Sequence, residues 1–452
     1  MDPLIHHLSP PADIAPELLL KDFRERLRRT TWGHETPDTP LVPVWSEASS
    51  LGRFESALRA LFRAHLKVLD AVRAGRCPPE YGRLERIVRG HYLDWPALPG
   101  EEPPEEVPPG RDPARHLFGR PDVILGPDGP KVVETNFDTA AAGHERPDDM
   151  WTIAADLFRA PADLLRAGRP LEGLRQYFLD LAGGTPCDIH WIMKDDDAAR
   201  RELAPTIEFL NRDHRRVRHT IHFAGDPPPA PPGDRPAYIH RACSIFTVNR
   251  DRERFADLLA RLTRVAPRCT VPVGLSHLSS KLFLAWLSDP DARPATLTAE
   301  ERAAVEALVP WTRVLALLGA EELRLLRTGR DGFILKKADS HQAKDVYFGC
   351  NLSDGEWRAL LEAKRAEPAE PAGPGAAPGI WIVQERVRPR EYTLTEITDA
   401  GPVERRTGLS CCPYLMGGRL RGLETWVMPF TPTMTMIERM QFVAHFVRTP
   451  RP

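Results

Sequence analysis

The sequence predicts a mixed α/β (α+β) fold with a helical N-terminal region and a small inserted α/β subdomain. Three observations predict it. Apolar residues recur at helical spacing within residues 1–112, strand and helix patterns alternate over residues 183–272, and strands dominate the last third of the chain. A chain of 452 residues is too long for one ordinary core, so two or three domains are expected.

The composition is that of a globular protein, and it argues against nucleic-acid or membrane partners. Hydrophobic residues make up 42% and charged residues 27%, and the net charge of -2 is spread along the chain without a basic stripe. The first residues carry no signal-peptide pattern, and no apolar run approaches the length of a membrane span. The 7 cysteines are odd in number and scattered, so we expect a reduced, cytoplasmic protein.

Residues 1–112 are predicted to be mostly helical. Apolar residues at helical spacing indicate three helices, over 16–29, 53–74 and 80–92. Gly75 follows the second of them as a candidate C-terminal glycine. No chemistry stands out in this region, so we expect it to pack against a site or cover one.

A β-hairpin is predicted over residues 119–138, within a region (113–182) that continues into helices. Residues with high β-propensity at 123–125 and 132–133 flank a run of turn residues, Gly126 to Pro130. Such a hairpin brings polar residues from its two strands onto one face, because residues two apart on a strand point the same way.

The polar residues of the hairpin pair across the strands when the turn is centred on Asp128. Asp122 then lies opposite Glu134, and Arg120 lies opposite Asn136. One face would carry three oxygen ligands and one fixed cation, which a magnesium–triphosphate site requires. The alternative is the solvated outer face of an edge hairpin, and the hairpin alone does not separate the two interpretations.

Residues 183–272 are predicted to form a small α/β subdomain. Three strands, over 188–193, 217–223 and 237–240, and a helix over 196–210 are indicated. Lys194 and Arg241 lie at the carboxyl ends of strands, where ligands bind in such sheets, so they are candidates to bind an anionic substrate. The alternative, which the pattern favours, is surface charge that closes a strand.

In the last region, 273–452, a lysine closes an apolar strand. Lys336 ends the strand at 332–336, and a polar loop leads from it to a second strand at 346–349. A strand-terminal lysine and a mobile loop are the parts of a nucleotide lid, in which the lysine meets phosphate oxygens. The alternative is a hairpin with an exposed lysine. P-loop, dinucleotide-binding and kinase motifs are absent.

The same region contains a candidate adenine hinge. The apolar run at 380–383 leads into Gln384-Glu385, and the backbone of such a strand can read the adenine edge while an acidic side chain binds ribose or the amino group. A buried strand with a polar end is the alternative. Lys281 is predicted to lie in a helix over 279–287, and residues 310–312 to lead into a further helix.

Taken together, these features resemble the ATP-grasp enzymes. The hairpin precedes the lysine and the hinge, so the resemblance is to the circularly permuted branch, above all to the synthetase domain of glutathionylspermidine synthase. That family has R-x-D, a short turn and E-x-N-x-D-T. This chain has Arg120-Pro121-Asp122 and then Glu134-Thr135-Asn136-Phe137-Asp138-Thr139. The resemblance covers roughly residues 115–430.

The resemblance implies antiparallel sheets, ATP and Mg²⁺ as cofactors, and a role for each matching residue. It implies that Asp122, Glu134 and Asn136 bind two Mg²⁺ ions, and that Arg120 holds an acyl phosphate and the tetrahedral intermediate. It implies nucleotide contacts from a helix lysine, a strand lysine and the hinge pair, which are here Lys281, Lys336, Gln384 and Glu385.

Two features depart from the family pattern. Relatives have Lys-Pro after the lid strand, where this chain has Lys336-Lys337. Their lid loop is rich in glycine, whose backbone amides cradle phosphate, whereas this loop has no glycine before Gly349. The side chains of His341, Gln342 and Lys344 are available to replace those amides; otherwise the lid is impaired.

The expected activity is ATP-dependent ligation of a carboxylate to an amine through an acyl phosphate, in small-peptide or specialised-metabolite biosynthesis. The expected partners are small-molecule carboxylates and amines, and a homodimer is left open. Three alternatives remain: a phosphotransferase that uses the same nucleotide site, an ATP-binding protein with a degenerate lid and no catalysis, and a purely structural protein.

Overall fold

The computed structural model describes residues 5–30, 39–93, 117–137, 144–164, 168–195, 197–224, 226, 235–243, 248, 252–265, 268–270, 273–340, 345–372, 376–429 and 441–449. Over these residues the fold is mixed α/β, with helices and several antiparallel sheets, as predicted. No helix in this part of the chain has both the length and the apolar character needed to cross a membrane.

The helices confirm the predicted N-terminal pattern. The described α-helices are α1 Pro16–Arg28, α2 Ala48–Arg73, α3 Pro79–Leu93, α4 Glu145–Leu157, α5 Pro170–Ala182, α6 Asp197–Leu210, α7 Arg252–Val265, α8 Leu282–Ser288, α9 Ala299–Leu308, α10 Ala320–Thr328 and α11 Asp354–Ala366. The second predicted helix begins earlier than expected, at Ala48. Gly75 follows it with a φ of +62°, a conformation that favours glycine, as expected for a C-terminal glycine.

The strands form four sheets. The described strands are β1 His6–His7, β2 Val44–Glu47, β3 Phe118–Gly119, β4 Asp122–Gly126, β5 Gly129–Glu134, β6 Cys187–Met193, β7 Val217–Phe223, β8 Ala237–Arg241, β9 Arg268–Cys269, β10 Thr312–Val314, β11 Phe333–Lys337, β12 Val346–Phe348, β13 Trp381–Glu385, β14 Tyr392–Thr398, β15 Gly401–Met416, β16 Arg419–Pro429, β17 Gln441–Val443 and β18 His445–Arg448.

The largest sheet has seven strands and carries the predicted hairpin. Its order is β17-β16-β15-β4-β5, and β3 and β14 also pair with β15. All of its pairs are antiparallel. Because β15 lies between β4 and β16, the hairpin is beside residues from the C-terminal part of the chain. We refer to this sheet as the hairpin sheet.

A second antiparallel sheet, β10-β13-β11-β12, carries the predicted lid lysine and the hinge. We refer to it as the lysine sheet. Residues 310–312 lead first into a strand, which was not predicted: Thr312 and Val314 lie in β10, paired with Gln384 and Ile382, and the predicted further helix begins only at Ala320. β-Branched side chains favour a strand, and here the hinge strand supplies the partner.

The predicted α/β subdomain is a four-stranded parallel sheet of order β7-β6-β8-β9. The predicted strands and helix are confirmed, and α7 and the short β9 extend the pattern. The central strand β6 contributes Ile189, Trp191 and Ile192 to the core, all fully buried. A near-continuous apolar strand of this kind is typical of a parallel sheet covered on both faces.

The N-terminal region is joined to the rest of the molecule. β2 pairs in parallel with β18 near the C terminus, and α2 packs against α9. The largest hydrophobic core extends from Ile5 to Val443 and includes Val123 of the hairpin and Leu282 of α8. The four predicted regions therefore share one core.

Candidate active site

The hairpin places its four polar side chains in the predicted pairs. Asp122 is directly opposite Glu134. The backbone N–H of Arg120 donates to the carbonyl of Asn136 at 2.9 Å. The cross-strand pairing predicted from the sequence is therefore confirmed.

The turn that produces this pairing differs from the predicted one. Gly126 pairs with Gly129, so the turn is tighter than one centred on Asp128, and the register shifts by one residue before Asp122. This shift is a β-bulge in which Val133 is the extra residue. The carbonyl of Val133 accepts a hydrogen bond from Lys336 Nζ at 3.3 Å. The bulge thus both restores the register and turns a backbone oxygen toward the lysine sheet.

Three polar side chains lie in a row across neighbouring strands of the hairpin sheet. Cys412 on β15 pairs with Glu424 on β16, and its thiol donates to Asp122 Oδ1 on β4 at 3.4 Å. Burial raises the pKa of the Cys412 thiol well above its ordinary value. It therefore remains a neutral donor beside the Asp122 carboxylate.

Arg120 contacts Glu424 of this row and also Tyr414 of β15. Its Nη1 donates to Glu424 Oε2 at 2.7 Å, and the Tyr414 hydroxyl lies 3.5 Å from the same nitrogen. Burial alone would lower the pKa of Arg120, but Glu424 and the neighbouring Tyr414, Cys412 and Asp122 together outweigh burial, and the pKa is raised. The guanidinium is thus a fixed cation on a rigid strand junction.

Asp122 and Asn136 form the oxygen-rich end of the hairpin face. Asn136 Nδ2 donates to the carbonyl of Arg120 at 3.2 Å and to Asp122 Oδ1 at 3.4 Å. Burial and the charge of Glu134 raise the pKa of Asp122 to about 6. A carboxylate whose pKa is raised by a neighbouring carboxylate favours a bound cation.

Lys281 supplies one cation from the last region of the chain. Lys281 was predicted to lie inside a helix. It is instead the N-cap residue of α8, one position before the first helical residue, Leu282. Its side chain is only 3% exposed. Lys281 Nζ donates to Glu134 Oε1 at 2.8 Å and to the carbonyl of Ser340 at 3.0 Å, where the polar loop begins.

Lys336 supplies the second cation, from the lysine sheet. It is 6% exposed, and its Nζ donates to Gln384 Oε1 at 2.8 Å. Gln384 Nε2 donates in turn to the hydroxyl of Thr312 at 3.2 Å. Burial lowers the pKa of Lys336 to about 8, although the charge of Glu134 acts in the opposite direction. Both buried lysines therefore converge on the β5 end of the hairpin.

The two hinge residues have different environments. The Gln384 side chain is fully buried and orients Lys336, whereas the Glu385 side chain is exposed. Glu385 Oε2 accepts a hydrogen bond from the backbone N–H of Trp311 at 3.3 Å. Glu385 is opposite Phe333 and Gln384 is opposite Ile334, so the Glu385 side chain points to the face of the lysine sheet away from Lys336 and the hairpin.

A small apolar cluster joins the two antiparallel sheets. The lysine sheet contributes two buried residues and the hairpin sheet contributes one, with further apolar residues packed around them. The buried members are Ile334, Phe348 and Met428, and Ile124, Val346 and Cys350 pack against them. The junction of the sheets thus combines an apolar surface with two buried lysines and two carboxylates.

The two predicted substrate residues of the subdomain differ in exposure. Lys194 follows β6 at the carboxyl end of the strand and is half-buried, as the prediction requires. Arg241 is only 2% exposed, and it donates to the carbonyl of Cys243 and the hydroxyl of Ser276, both at 2.9 Å. Arg241 therefore tethers neighbouring segments and, at this exposure, is not accessible to a substrate.

Some predicted residues lie outside the described residues. His341 and Lys344 of the polar loop are among them, as are Asp138 and Thr139 of the hairpin motif. Their roles stay predictions.

The donor set on the hairpin suits a hard divalent cation. Among the described residues, no group of three or more His, Cys, Asp and Glu side chains is arranged for a metal ion. Asp122 and Glu134 are two such residues, and the third predicted ligand, Asn136, is an amide. Oxygen ligands of this kind, few in number, are typical of Mg²⁺ sites that are completed by water and phosphate.

Three residues of the site were not predicted from the sequence. Cys412, Tyr414 and Glu424 reach it only through the pairing of β4, β15 and β16. The available signal is a carboxylate within the apolar segment Leu423 to Met428. A charged residue inside a buried strand requires a partner, and here that partner is Arg120.

No model of a known protein family matches this chain, and no curated protein gives a significant match. The function is therefore inferred from the residues and their geometry.

Proposed function

We propose that this protein is an ATP-dependent ligase of the circularly permuted ATP-grasp type, which joins a carboxylate to an amine through an acyl phosphate. One observation carries the proposal: Lys336 of the lysine sheet reaches the hairpin bulge at Val133, while Lys281 pairs with Glu134 on the same strand. The lysine sheet, the hairpin and the residue that precedes α8 thus place two cations and two carboxylates around one junction.

The two buried lysines support a triphosphate as the ligand. Lysine is rarely buried, because its charged form loses hydration, and the lowered pKa of Lys336 reflects that cost. A triphosphate between the sheets would give both ammonium groups anionic partners. The apolar cluster around Ile334 and Met428 is suited to an adenine ring, whereas the Glu385 side chain lies on the opposite face of β13 and is not placed to contact that ring.

Asp122, Glu134 and Asn136 are the residues that would hold Mg²⁺. When bound, Mg²⁺ neutralises charge on the phosphates during transfer. Lys281, now paired with Glu134 at 2.8 Å, would then be able to turn toward phosphate oxygens. On the hairpin face, Mg²⁺ would then replace the Lys281 ammonium as the cation beside Glu134.

The proposed reaction has two steps. A substrate carboxylate oxygen attacks the γ-phosphorus of ATP, the bond to the bridging oxygen breaks, and ADP and an acyl phosphate result. The nitrogen of the neutral amine then attacks the carbonyl carbon, the bond from that carbon to the phosphate oxygen breaks, and the one surplus proton on nitrogen leaves with phosphate as HPO₄²⁻, so that an amide remains. Arg120 lies on the same face as Asp122 and would stabilise the negative oxygen of the tetrahedral intermediate.

Hydroxylamine trapping tests this proposal. We expect the protein to release ADP from ATP and Mg²⁺ in the presence of an amino-acid pool, and to form a hydroxamate when hydroxylamine is added. A hydroxamate arises only when the carboxylate has been activated. If ADP is released, no hydroxamate forms and an alcohol is phosphorylated, the protein is a phosphotransferase. If ATP binds and no ADP is released, the protein is non-catalytic.

The affinity for ATP is expected to fall as pH rises through about 8, where buried Lys336 loses its proton in the free protein. The charged ammonium binds phosphate and the neutral amine does not, so the loss should approach about tenfold per pH unit. ATP does not contribute, since its last phosphate ionisation lies near pH 6. Calorimetric titrations with ATP between pH 7 and pH 10 measure this effect. The affinity of the Lys336→Met variant should not show the fall above about pH 8.

A further inference from the structure

Glu424 is a buried carboxylate whose role the proposed reaction does not yet include. It lies in the middle of β16 and its side chain is 2% exposed. Burial raises its pKa above the ordinary value of a glutamate. A carboxylate in this position is costly to bury, so its partners are informative.

Its hydrogen-bond partners are Arg120 and Tyr414, and the charge of Arg146 also acts on it. Arg120 Nη1 donates to Glu424 Oε2 at 2.7 Å, and the Tyr414 hydroxyl donates to the same oxygen at 3.4 Å. The guanidinium also lies over the Tyr414 ring, with 5.8 Å between Cζ and the ring centroid. Glu424 and Tyr414 thus engage the inner side of Arg120, whose side chain stays 31% exposed.

A second carboxylate competes for the same arginine. The charge of Asp122 also acts on Arg120, since the two residues are two positions apart on one strand junction. Asp122 is instead held by the amide of Asn136 and the thiol of Cys412, each at 3.4 Å. If Glu424 were neutral, Asp122 would be the nearest carboxylate available to Arg120, and the two groups would be drawn together.

We propose that Glu424 is a positioning residue: with Tyr414 it holds Arg120 away from Asp122 and directs the guanidinium at the carbonyl of the acyl phosphate. This inference rests on the proposed function, because it assigns Arg120 to the tetrahedral intermediate. Glu424 acts through Arg120 and does not touch the substrate, since the carboxylate is enclosed behind the guanidinium.

Glu424→Gln is the variant that tests this role. It keeps the shape of the side chain and one acceptor oxygen but removes the charge that holds Arg120. We expect kcat for hydroxamate formation to fall at least about tenfold, while KM for ATP changes less than about twofold. Tyr414→Phe, which keeps the ring under the guanidinium, is expected to lower kcat in the same direction by a smaller factor.

Glu301→Gln is the matched control. Glu301 is equally buried, at 3% exposure, and its Oε2 pairs with Lys67 Nζ at 2.7 Å, on α9 and outside the candidate site. Glutamine is also accepted at this capping-box position. This variant should keep the wild-type kcat, because it removes a buried charge of the same kind without affecting Arg120.

A double-mutant cycle separates positioning from a purely structural role. Arg120→Ala should lower kcat about 100-fold, and adding Glu424→Gln to it should change kcat less than about twofold further. Equal losses from Glu424→Gln in both backgrounds, or an unchanged kcat with only a lower Tm, would overturn the inference alone. If the wild-type protein forms no hydroxamate at all, the proposed function fails and the inference with it.

Discussion

Replacing Glu134 with alanine is expected to abolish Mg²⁺-dependent ATP turnover. Glu134 lies opposite Asp122, and the two carboxylates form the oxygen-rich face on which the metal is proposed to bind. Removing one of them should lower ADP release at least about 100-fold. Turnover measured over a range of Mg²⁺ concentrations is the appropriate assay, since weakened metal binding would show as partial recovery at high Mg²⁺.

The structural cost of this substitution is not negligible. Glu134 is the partner of Lys281, which is only 3% exposed, so alanine leaves this buried ammonium without its carboxylate, although the hydrogen bond to the Ser340 carbonyl remains. A loss of about 1–3 kcal/mol in the free energy of unfolding is expected. Glu134→Gln keeps a hydrogen-bond acceptor for Lys281, so it should lose turnover with a smaller loss of stability.

Asn136→Ala and Glu404→Gln complete the comparison. Asn136→Ala should also lose turnover while the fold remains intact, because Asn136 is only half-buried and lies outside the core. Glu404 is an exposed glutamate of β15 and should tolerate the change to glutamine. Normal ADP formation in the Glu134→Gln and Asn136→Ala variants would refute the metal site.

Replacing Lys336 with methionine is expected to weaken ATP binding at least about tenfold while changing stability little. Two structural effects oppose each other. Methionine removes an ammonium whose burial lowers its pKa to about 8, but it also leaves Gln384 Oε1 and the Val133 carbonyl without this donor. Each effect is of the order of a few kcal/mol, so the Tm should shift only slightly.

Lys337→Met is the matched control for this variant. Lys337 is the next residue of β11 and points to the opposite face of the strand, where its Nζ lies 3.7 Å from Glu367 Oε1. It should keep wild-type affinity for ATP. Equal losses of affinity in both variants would mean that net charge on the lysine sheet, and not the position of Lys336, determines binding.

The hairpin site was predictable because its signals are local. β-Propensity, turn residues and the two-residue alternation of side chains place Asp122 opposite Glu134 without any knowledge of the rest of the chain. The bulge at Val133 was not predictable, because a tighter turn and a register shift compensate for one another. The predicted pairing of Asp122 with Glu134 is therefore correct, but it arises from a tighter turn and a bulge and not from a turn centred on Asp128.

The surroundings of the hairpin depend on contacts that local patterns do not specify. Arg120 and Glu424 are 304 positions apart, and Lys281 and Glu134 are 147 positions apart. The strand at Thr312 was predicted as a helix entry for the same reason, since its partner β13 lies about 70 residues later. Likewise, the burial of Arg241 follows from the packing of Ser276 and not from its place at the end of β8.

Calorimetric titration of the wild-type protein with ATP, first in Mg²⁺ and then in excess EDTA, tests the proposed nucleotide site most directly. We expect saturable binding of one ATP per chain in Mg²⁺, with most of the affinity lost in EDTA and in the Lys336→Met variant. Failure to bind ATP in Mg²⁺, or equal affinity in EDTA and in Lys336→Met, would contradict a magnesium–ATP site between the two sheets.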